Sequence, residues 1–413
     1  MLRVGQLARS TGDRVAVPVD DAGWVNARDL VRAHRAASTP LRLFTVPATR
    51  DAVPRVSLVT DSINKGSLYG GVGTAIIMSA LVAEARGAQL RIVTRTERPH
   101  QAGLEAVLRT YGIALSREVE FAHAPCYDRG YSIDVMDREL FITSSWWTTA
   151  STLGSVPPDQ VVYLLQEDER MFYPLGDEHL LCSRTLERSD IRFVVNSQIL
   201  FDHLKGSGLQ HLSSCGEWFE PAFPPSVFHP RSNSGTGRRT LMLYARPHNQ
   251  RNLFLFGIEL IEVAITRGVL DLDDWEVVLL GKDIPNIRLD DGRYSPRRLE
   301  NLNWDEYADF VGRVDLGVSL MYTPHPSYPP FDLAASGAVV VTNRFGLKRS
   351  LEHYSRNILC GDLALEPMLE VLAEGITLAS NPAARESHYH ANTFGTDWRQ
   401  SFAQVVERFG RHL

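Results

Sequence analysis

DLGVSLMYTPHPSYPPFDLAASGAVVVT, residues 315–342, is the stretch whose reading decides the fold. Residues 316–321 are an apolar run of strand length, and residues 338–341 are another. Between them Pro324, Pro326, Pro329 and Pro330 lead into a short helical segment, which Gly337 closes in the position where helices tend to end. The segment reads as strand, loop, helix, strand. In an open α/β sheet the loop leaving the carboxyl end of a parallel strand faces the ligand crevice, and the next helix points its positive N-terminus into it. Prolines remove backbone freedom, so His325, Ser327 and Tyr328 are expected to stand on a stiff frame that loses little entropy on binding. Asp332 falls in the first helical turn. It is either a carboxylate stabilised by the helix dipole or a two-oxygen acceptor for neighbouring sugar hydroxyls.

The alternation continues on both sides. RVSLVTD from Arg55 reads as a strand, GVGTAIIMSALVAEARG as a helix and QLRIVTR as a second strand, a βαβ unit. A helix at 104–111 and strands at 119–122, 140–143, 161–165 and 191–195 follow. After the Pro-, Gly- and Ser-rich PAFPPSVFHPRSNSGTGRR, residues 221–239, the pattern restarts. Strands are expected at 240–244, 275–280, 316–321, 338–341 and 357–360, with helices at 252–266, 304–311 and 365–378. The fold class is therefore α/β, with two Rossmann-like domains at 52–222 and 240–390 enclosing a cleft. A linker at 223–239 joins them. Residues 1–51 read as an extension with one helix at 26–37 in irregular sequence, and 391–413 as a terminal helix that packs as a brace.

A chain of 413 residues with 44% hydrophobic and 22% charged residues suits a two-domain globular protein. No apolar run reaches membrane-spanning length, and MLRVGQLARSTGDR lacks a signal peptide's apolar core, so a cytoplasmic location is expected, with at most peripheral contact at the inner face of the membrane. The net charge of −6 argues against nucleic acid as a partner. The pairs Arg297/Arg298 and Lys348/Arg349 read as solvated surface. Cys126, Cys182, Cys215 and Cys360 lack metal-like spacing, and His388 and His390 have no converging acid or thiol set, so no metal is expected.

Four loops carry candidate chemistry. In SINKGSLYGGVGTA, residues 62–75, Gly70, Gly71 and Gly73 either let the backbone approach an anion or merely make a tight turn. Ile76 stands where a dinucleotide fingerprint needs Gly or Ala, which weighs against a dehydrogenase. In YARPHNQRN, residues 244–252, Arg246 and Arg251 flank a turn and could hold a diphosphate through paired charged hydrogen bonds. Lys282, at another strand end, adds a third cation or is a plain surface lysine. Trp146 and Trp147 offer indole faces to a sugar ring, with one of the pair expected in the core. Gln166, Glu167 and Asp168 could hold or activate an acceptor hydroxyl, or form a solvated acidic loop; Tyr173 would complete that wall.

With TSSWWTTA, VVYLLQEDERMFY, YARPHNQRN, DEYADFVGRVDLGVSLM and HPSYPP, the chain resembles GT-B glycosyltransferases of the family-four type, in particular the rhamnosyltransferases that assemble bacterial surface and S-layer glycans. The resemblance implies transfer of L-rhamnose from dTDP-L-rhamnose to a saccharide, lipid-linked or free, usually with retention and with no cofactor beyond the nucleotide sugar. It places Arg246 and Arg251 on the diphosphate, Tyr328 and Ser327 on the nucleoside or phosphate, and Asp332 on the ribose, with Gly71, Lys282 and Asn301 also at the donor. Such enzymes usually carry two glutamates eight positions apart, where this chain has Pro324 and Asp332. Asn301 stands where relatives offer a lysine. Two other readings stay open: a nucleotide-sugar epimerase, and a non-catalytic sugar-nucleotide or glycan-binding protein.

Overall fold

Strands buried on both faces read as continuous apolar runs, and here such runs assemble into two parallel sheets. The structure, a computed structural model, describes residues 3–8, 14–19, 22–47, 53–64, 68–128, 130–232 and 237–410. The first sheet has seven strands in the order Gly216–Phe219, Arg192–Asn196, Val161–Leu165, Leu140–Thr143, Arg55–Thr60, Gln89–Thr94, Glu120–His123. The second has six, in the order Arg297–Glu300, Trp275–Gly281, Arg239–Ala245, Leu316–Val318, Val339–Asn343, Ile358–Gly361. Every pairing in both is parallel.

Each sheet winds outward from a central strand, returns, and winds the other way. The reversal lies between Arg55–Thr60 and Leu140–Thr143 in the first sheet, and between Arg239–Ala245 and Leu316–Val318 in the second. The crevice beyond the carboxyl ends at such a reversal is where these sheets bind ligands. The glycine loop and SSWW leave from it in the first domain; YARPHNQRN and the proline loop leave from it in the second.

The proline segment folds as a helix over Tyr328–Ala335. Pro329 and Pro330 occupy its first turn, where a missing N–H costs nothing, and Gly337 at φ +85° ends it while the Ala338 N–H donates to the Leu333 carbonyl at 2.9 Å. The strand before it, Leu316–Val318, is shorter than its apolar run predicts. The Met321 N–H is captured by the Asn343 side chain at 2.7 Å instead of by a neighbouring strand.

Within the connection at 221–239, Phe223, Val227 and Phe228 are buried in the core of the second domain. The terminal segment returns to the first domain, where Trp398, Phe402, Val405 and Phe409 pack against the apolar helix Gly73–Ala85. That helix is buried from Gly73 through Ala83, as a helix apolar on every side must be. The chain thus crosses between the domains twice, and the crossings touch: Ala222 pairs with Gly395, and the Phe223 N–H donates to the Gly395 carbonyl at 2.6 Å.

The extension is more regular than expected. Arg3–Ala8 and Arg14–Val19 pair antiparallel, Asn26 caps a helix at Ala27–His34, and Leu43–Val46 pairs parallel with Ile133–Met136. Thr39 ties it to the first domain by accepting from Arg95 at 2.9 Å and Ser151 at 2.7 Å. Among the described residues no helix is long and apolar enough to cross a membrane.

Phe402 is fully buried, 4.4 Å from the Phe219 ring and stacked with Trp398 at 5.6 Å. Phe402→Ala should therefore cost about 3–5 kcal/mol, read from denaturant unfolding. A cost below about 1 kcal/mol would show that the terminal segment does not brace the core.

Candidate functional site

The strand Val161–Leu165 ends facing the second domain, and Glu167 follows two residues later. One carboxylate oxygen of Glu167 accepts from Arg251 Nη1 at 3.3 Å; the other accepts from Thr323 Oγ1 at 3.2 Å and lies 3.3 Å from His325 Nδ1. All three partners come from the second domain: Arg251 from the loop after Arg239–Ala245, Thr323 and His325 from the proline loop. The Arg251 guanidinium also lies 3.8 Å over the Phe172 ring of the first domain, and its Nε donates to Asn249 at 3.2 Å. Below them Lys348 is fully buried, with Nζ donating to the Met321 carbonyl at 3.2 Å.

Burial governs the electrostatics. It pushes Glu167 up to about 7, against the pull of Arg251, Thr323 and Lys348. It lowers Lys348 to about 8, with Glu167 opposing. It lowers His325 to about 3, helped by Lys348 and Arg251, so the imidazole is neutral. His325 Nδ1 accepts the Ser327 N–H at 3.0 Å, which leaves the ring proton on Nε2. Two cations, a neutral imidazole and a carboxyl that titrates near neutrality thus meet where both sheets direct their loops. Such a set suits a ligand with adjacent negative charges.

The match to known proteins falls on these elements. Residues 55–198 match the N-terminal domain of WsaF, and residues 239–373 match its C-terminal domain, together more than half of the chain. The chain belongs to the WsaF family of GT-B glycosyltransferases. It is 26% identical over 275 residues to the O-antigen biosynthesis protein RfbC of Myxococcus xanthus, a match that covers 65% of this chain and 20% of that protein. In fold it is similar to sucrose-phosphate synthase from Thermosynechococcus elongatus (13% identity, TM-score 0.56, covering 86% of this chain and 98% of that one). Similar too are the lipopolysaccharide glycosyltransferase WaaG (11%, 0.56, 86% and 99%) and Anabaena HepE in complex with UDP-glucose (13%, 0.55, 86% and 98%).

Within this WsaF-family fold several candidates face elsewhere. Asp168 turns away from Glu167 onto Arg170 at 2.6 Å and His203 at 3.5 Å. Burial would raise it, but those two partners hold it down to about 2, a fixed carboxylate capping the turn Glu169–Phe172. Trp146 is the core member of its pair, with Nε1 donating to the Tyr173 hydroxyl at 2.9 Å and its backbone N–H to Glu169 at 2.8 Å. Trp147 is half-buried and donates to Asp61 at 2.8 Å. Gln166 donates to the Gly71 carbonyl at 2.7 Å, and a Cβ on Gly71 would lie 3.0 Å from its amide nitrogen. Arg246 donates to the Tyr244 hydroxyl at 3.1 Å. Lys282 and Asn301 are exposed, Asn301 at φ +56°.

Tyr328 contacts the first domain: its hydroxyl meets Thr74 Oγ1 at 2.5 Å and accepts from Asn196 at 2.8 Å. Asp332 accepts from the Tyr307 hydroxyl at 2.8 Å, and burial pushes it up to about 8 against that bond. Lys348 reverses the expectation of solvated surface. The tight turn in which Phe345 and Lys348 exchange backbone hydrogen bonds at 3.0 and 2.8 Å folds it inward and leaves Arg349 outside. Lys348, Thr323, Tyr307, Asp61 and Glu169 are site residues that sequence reasoning missed. Gly346, at φ +53°, lets that turn form, but nothing in the sequence says which way Lys348 then faces. Among the described residues no three His, Cys, Asp or Glu side chains gather as metal ligands.

Tyr328→Phe should lower stability by about 1–3 kcal/mol, because Thr74 and Asn196 lose a buried partner. Calorimetric dTDP affinity should change by less than about threefold; a larger loss would put Tyr328 on the nucleoside. Asp332 has a native pKa raised above its unfolded value, so its contribution to stability is lost as pH rises from the usual carboxylate range through about 8. Asp332→Asn should remove this slope, at most about 1.4 kcal/mol per pH unit, from urea unfolding measured between acid and alkaline pH. Superimposable wild-type and variant profiles would mean that Asp332 is an ordinary carboxylate.

Proposed function

We propose that the chain transfers a sugar from a nucleoside-diphosphate donor to a saccharide hydroxyl in the cleft between its two sheets. The observation that carries this reading is the gathering of Arg251 and Lys348 at the reversal of the second sheet, opposite Glu167 of the first. As the anomeric carbon parts from the phosphate oxygen, negative charge grows on the leaving diphosphate. Cations already fixed in a water-poor site stabilise that charge without reorganising. Arg246, on the same loop as Arg251, adds a second guanidinium, which donates to the Tyr244 hydroxyl.

In this reading the donor is dTDP-L-rhamnose, no metal takes part, and transfer retains the anomeric configuration. The acceptor hydroxyl attacks on the face the diphosphate leaves, and its proton passes to the leaving phosphate oxygen as the new glycosidic bond forms. Trp147 and Gln166 face the acceptor, and Asp332, held by Tyr307, faces the ribose. The acceptor is a surface-glycan saccharide, lipid-linked or free, met in the cytoplasm or at the inner face of the membrane. Membership of the WsaF family supports the reaction class, and the O-antigen relative supports the kind of acceptor.

Arg251→Ala should weaken dTDP binding by about a hundredfold and lower kcat/KM for dTDP-L-rhamnose at least as much. A thermal-shift series across dTDP, UDP and GDP sugars checks the donor: dTDP-L-rhamnose should raise the melting temperature most. Stabilisation by UDP or GDP sugars alone would overturn the rhamnose assignment. Unchanged dTDP affinity in Arg251→Ala would overturn the donor site itself, and an epimerised nucleotide sugar formed without acceptor would replace transfer with epimerisation.

A further inference from the structure

Arg251 and Lys348 belong to the second domain, yet the acid set against both comes from the first. Glu167 receives a hydrogen bond from Arg251 at 3.3 Å and feels the buried charge of Lys348. These are the two cations that the proposed function gives to the diphosphate, and the present inference rests on that reading. A carboxylate and a diphosphate cannot both keep their charges against the same two cations in a site that excludes water. One of them must yield.

We propose that Glu167 competes with the donor's diphosphate for Arg251 and Lys348, and releases them by taking up a proton from solvent. The surroundings of Glu167 allow this exchange. From the second domain it faces Arg251, Thr323, His325 and Lys348; on its own segment lie Asp168, paired with Arg170 and His203, and Glu169 beyond. Thr323 stays a partner whichever form Glu167 takes, because its hydroxyl can donate or accept. A proton on the same oxygen finds His325 Nδ1 at 3.3 Å, an acceptor that burial keeps neutral and that it shares with the Ser327 N–H. Glu167 already sits near 7, so displacing its cations need move its titration only slightly for it to become neutral at physiological pH. The same carboxyl then keeps the two domains in contact through neutral hydrogen bonds while the cations serve the donor. Glu167 is a positioning residue in this account.

The experiment is calorimetric titration of the full chain with dTDP at pH 6, 7 and 8, in two buffers of different ionisation enthalpy. Wild type should take up close to one proton at pH 8 and little at pH 6, with affinity falling as pH rises. Lys348, lowered to about 8, contributes uptake of the same sign, so Glu167→Gln isolates the carboxyl. That variant should bind dTDP about five- to tenfold more tightly than wild type at pH 8, nearly equally at pH 6, and with less than half the uptake. Absence of uptake in wild type at pH 8, which needs no variant, overturns the proposal. So does a Glu167→Gln protein whose affinity at pH 8 is unchanged or weaker. If Arg251→Ala binds dTDP as wild type does, the donor-site reading has failed; if Arg251→Ala is weak and Glu167→Gln is unchanged, the competition alone has failed.

Discussion

Glu167 and Arg251 are charges that neither domain could bury alone. A guanidinium or carboxylate taken out of water without a partner costs several kcal/mol, so each half of the chain carries a group that is tolerable only because the other half answers it. The pair stands where it does because parallel sheets force their loops out at the carboxyl ends, and the two reversals aim those loops at one another. Other polar contacts cross the boundary beside the aromatic one between Tyr111 and Trp304. Tyr328 reaches Thr74 and Asn196, and Tyr354 donates to Glu220 at 2.7 Å. Hydrogen bonds like these exchange for water at a net cost of about 1 kcal/mol each.

The opposite end of the first sheet follows another logic. Arg55 and Arg91 are buried around Glu139, which accepts from them at 2.8 and 2.5 Å and from Ser57 at 2.5 Å, while Asp134 and Glu120 form further ion pairs with Arg55. Every charge there has a carboxylate or guanidinium of its own domain to face. The amino ends of the strands therefore carry an ion-pair network internal to the first domain. At the carboxyl ends, by contrast, Arg251 finds its acid, Glu167, on the other domain.

Much of the architecture was legible because buried parallel strands are mostly apolar: Arg55–Thr60, Val161–Leu165, Trp275–Gly281 and Val339–Asn343 announce themselves, and the helix Trp304–Val311 has the bounds its pattern predicts. Arg297–Glu300 does not, since an edge strand reading RRLE owes its conformation to pairing with Trp275–Gly281. The helix Trp146–Leu153 is built from Trp, Thr and Ser, weak helix formers, and is held by a capping box between Ser145 and Thr148. The site divides in the same way. Arg251 follows a strand and could be found from position alone. Lys348 could not, because its burial depends on a turn doubling back under Met321. Glu167 and Asp168 are neighbours of equal promise, but adjacent side chains point to different sides, and only the partners show which one faces the cleft.

The two chain crossings between the domains bear on how such a cleft can open. A single tether is a swivel, free to turn about its own axis. Here the segments at Ala222 and Gly395 run parallel and meet in a single bridge, with Phe223 wedged among Phe228, Phe331 and Phe394. A pair of tethers joined in this way behaves like a strap hinge: it flexes about one line and resists torsion. Opening and closing would then keep the two carboxyl-end crevices in register, so each closure returns Arg251 to the same face of the opposing sheet.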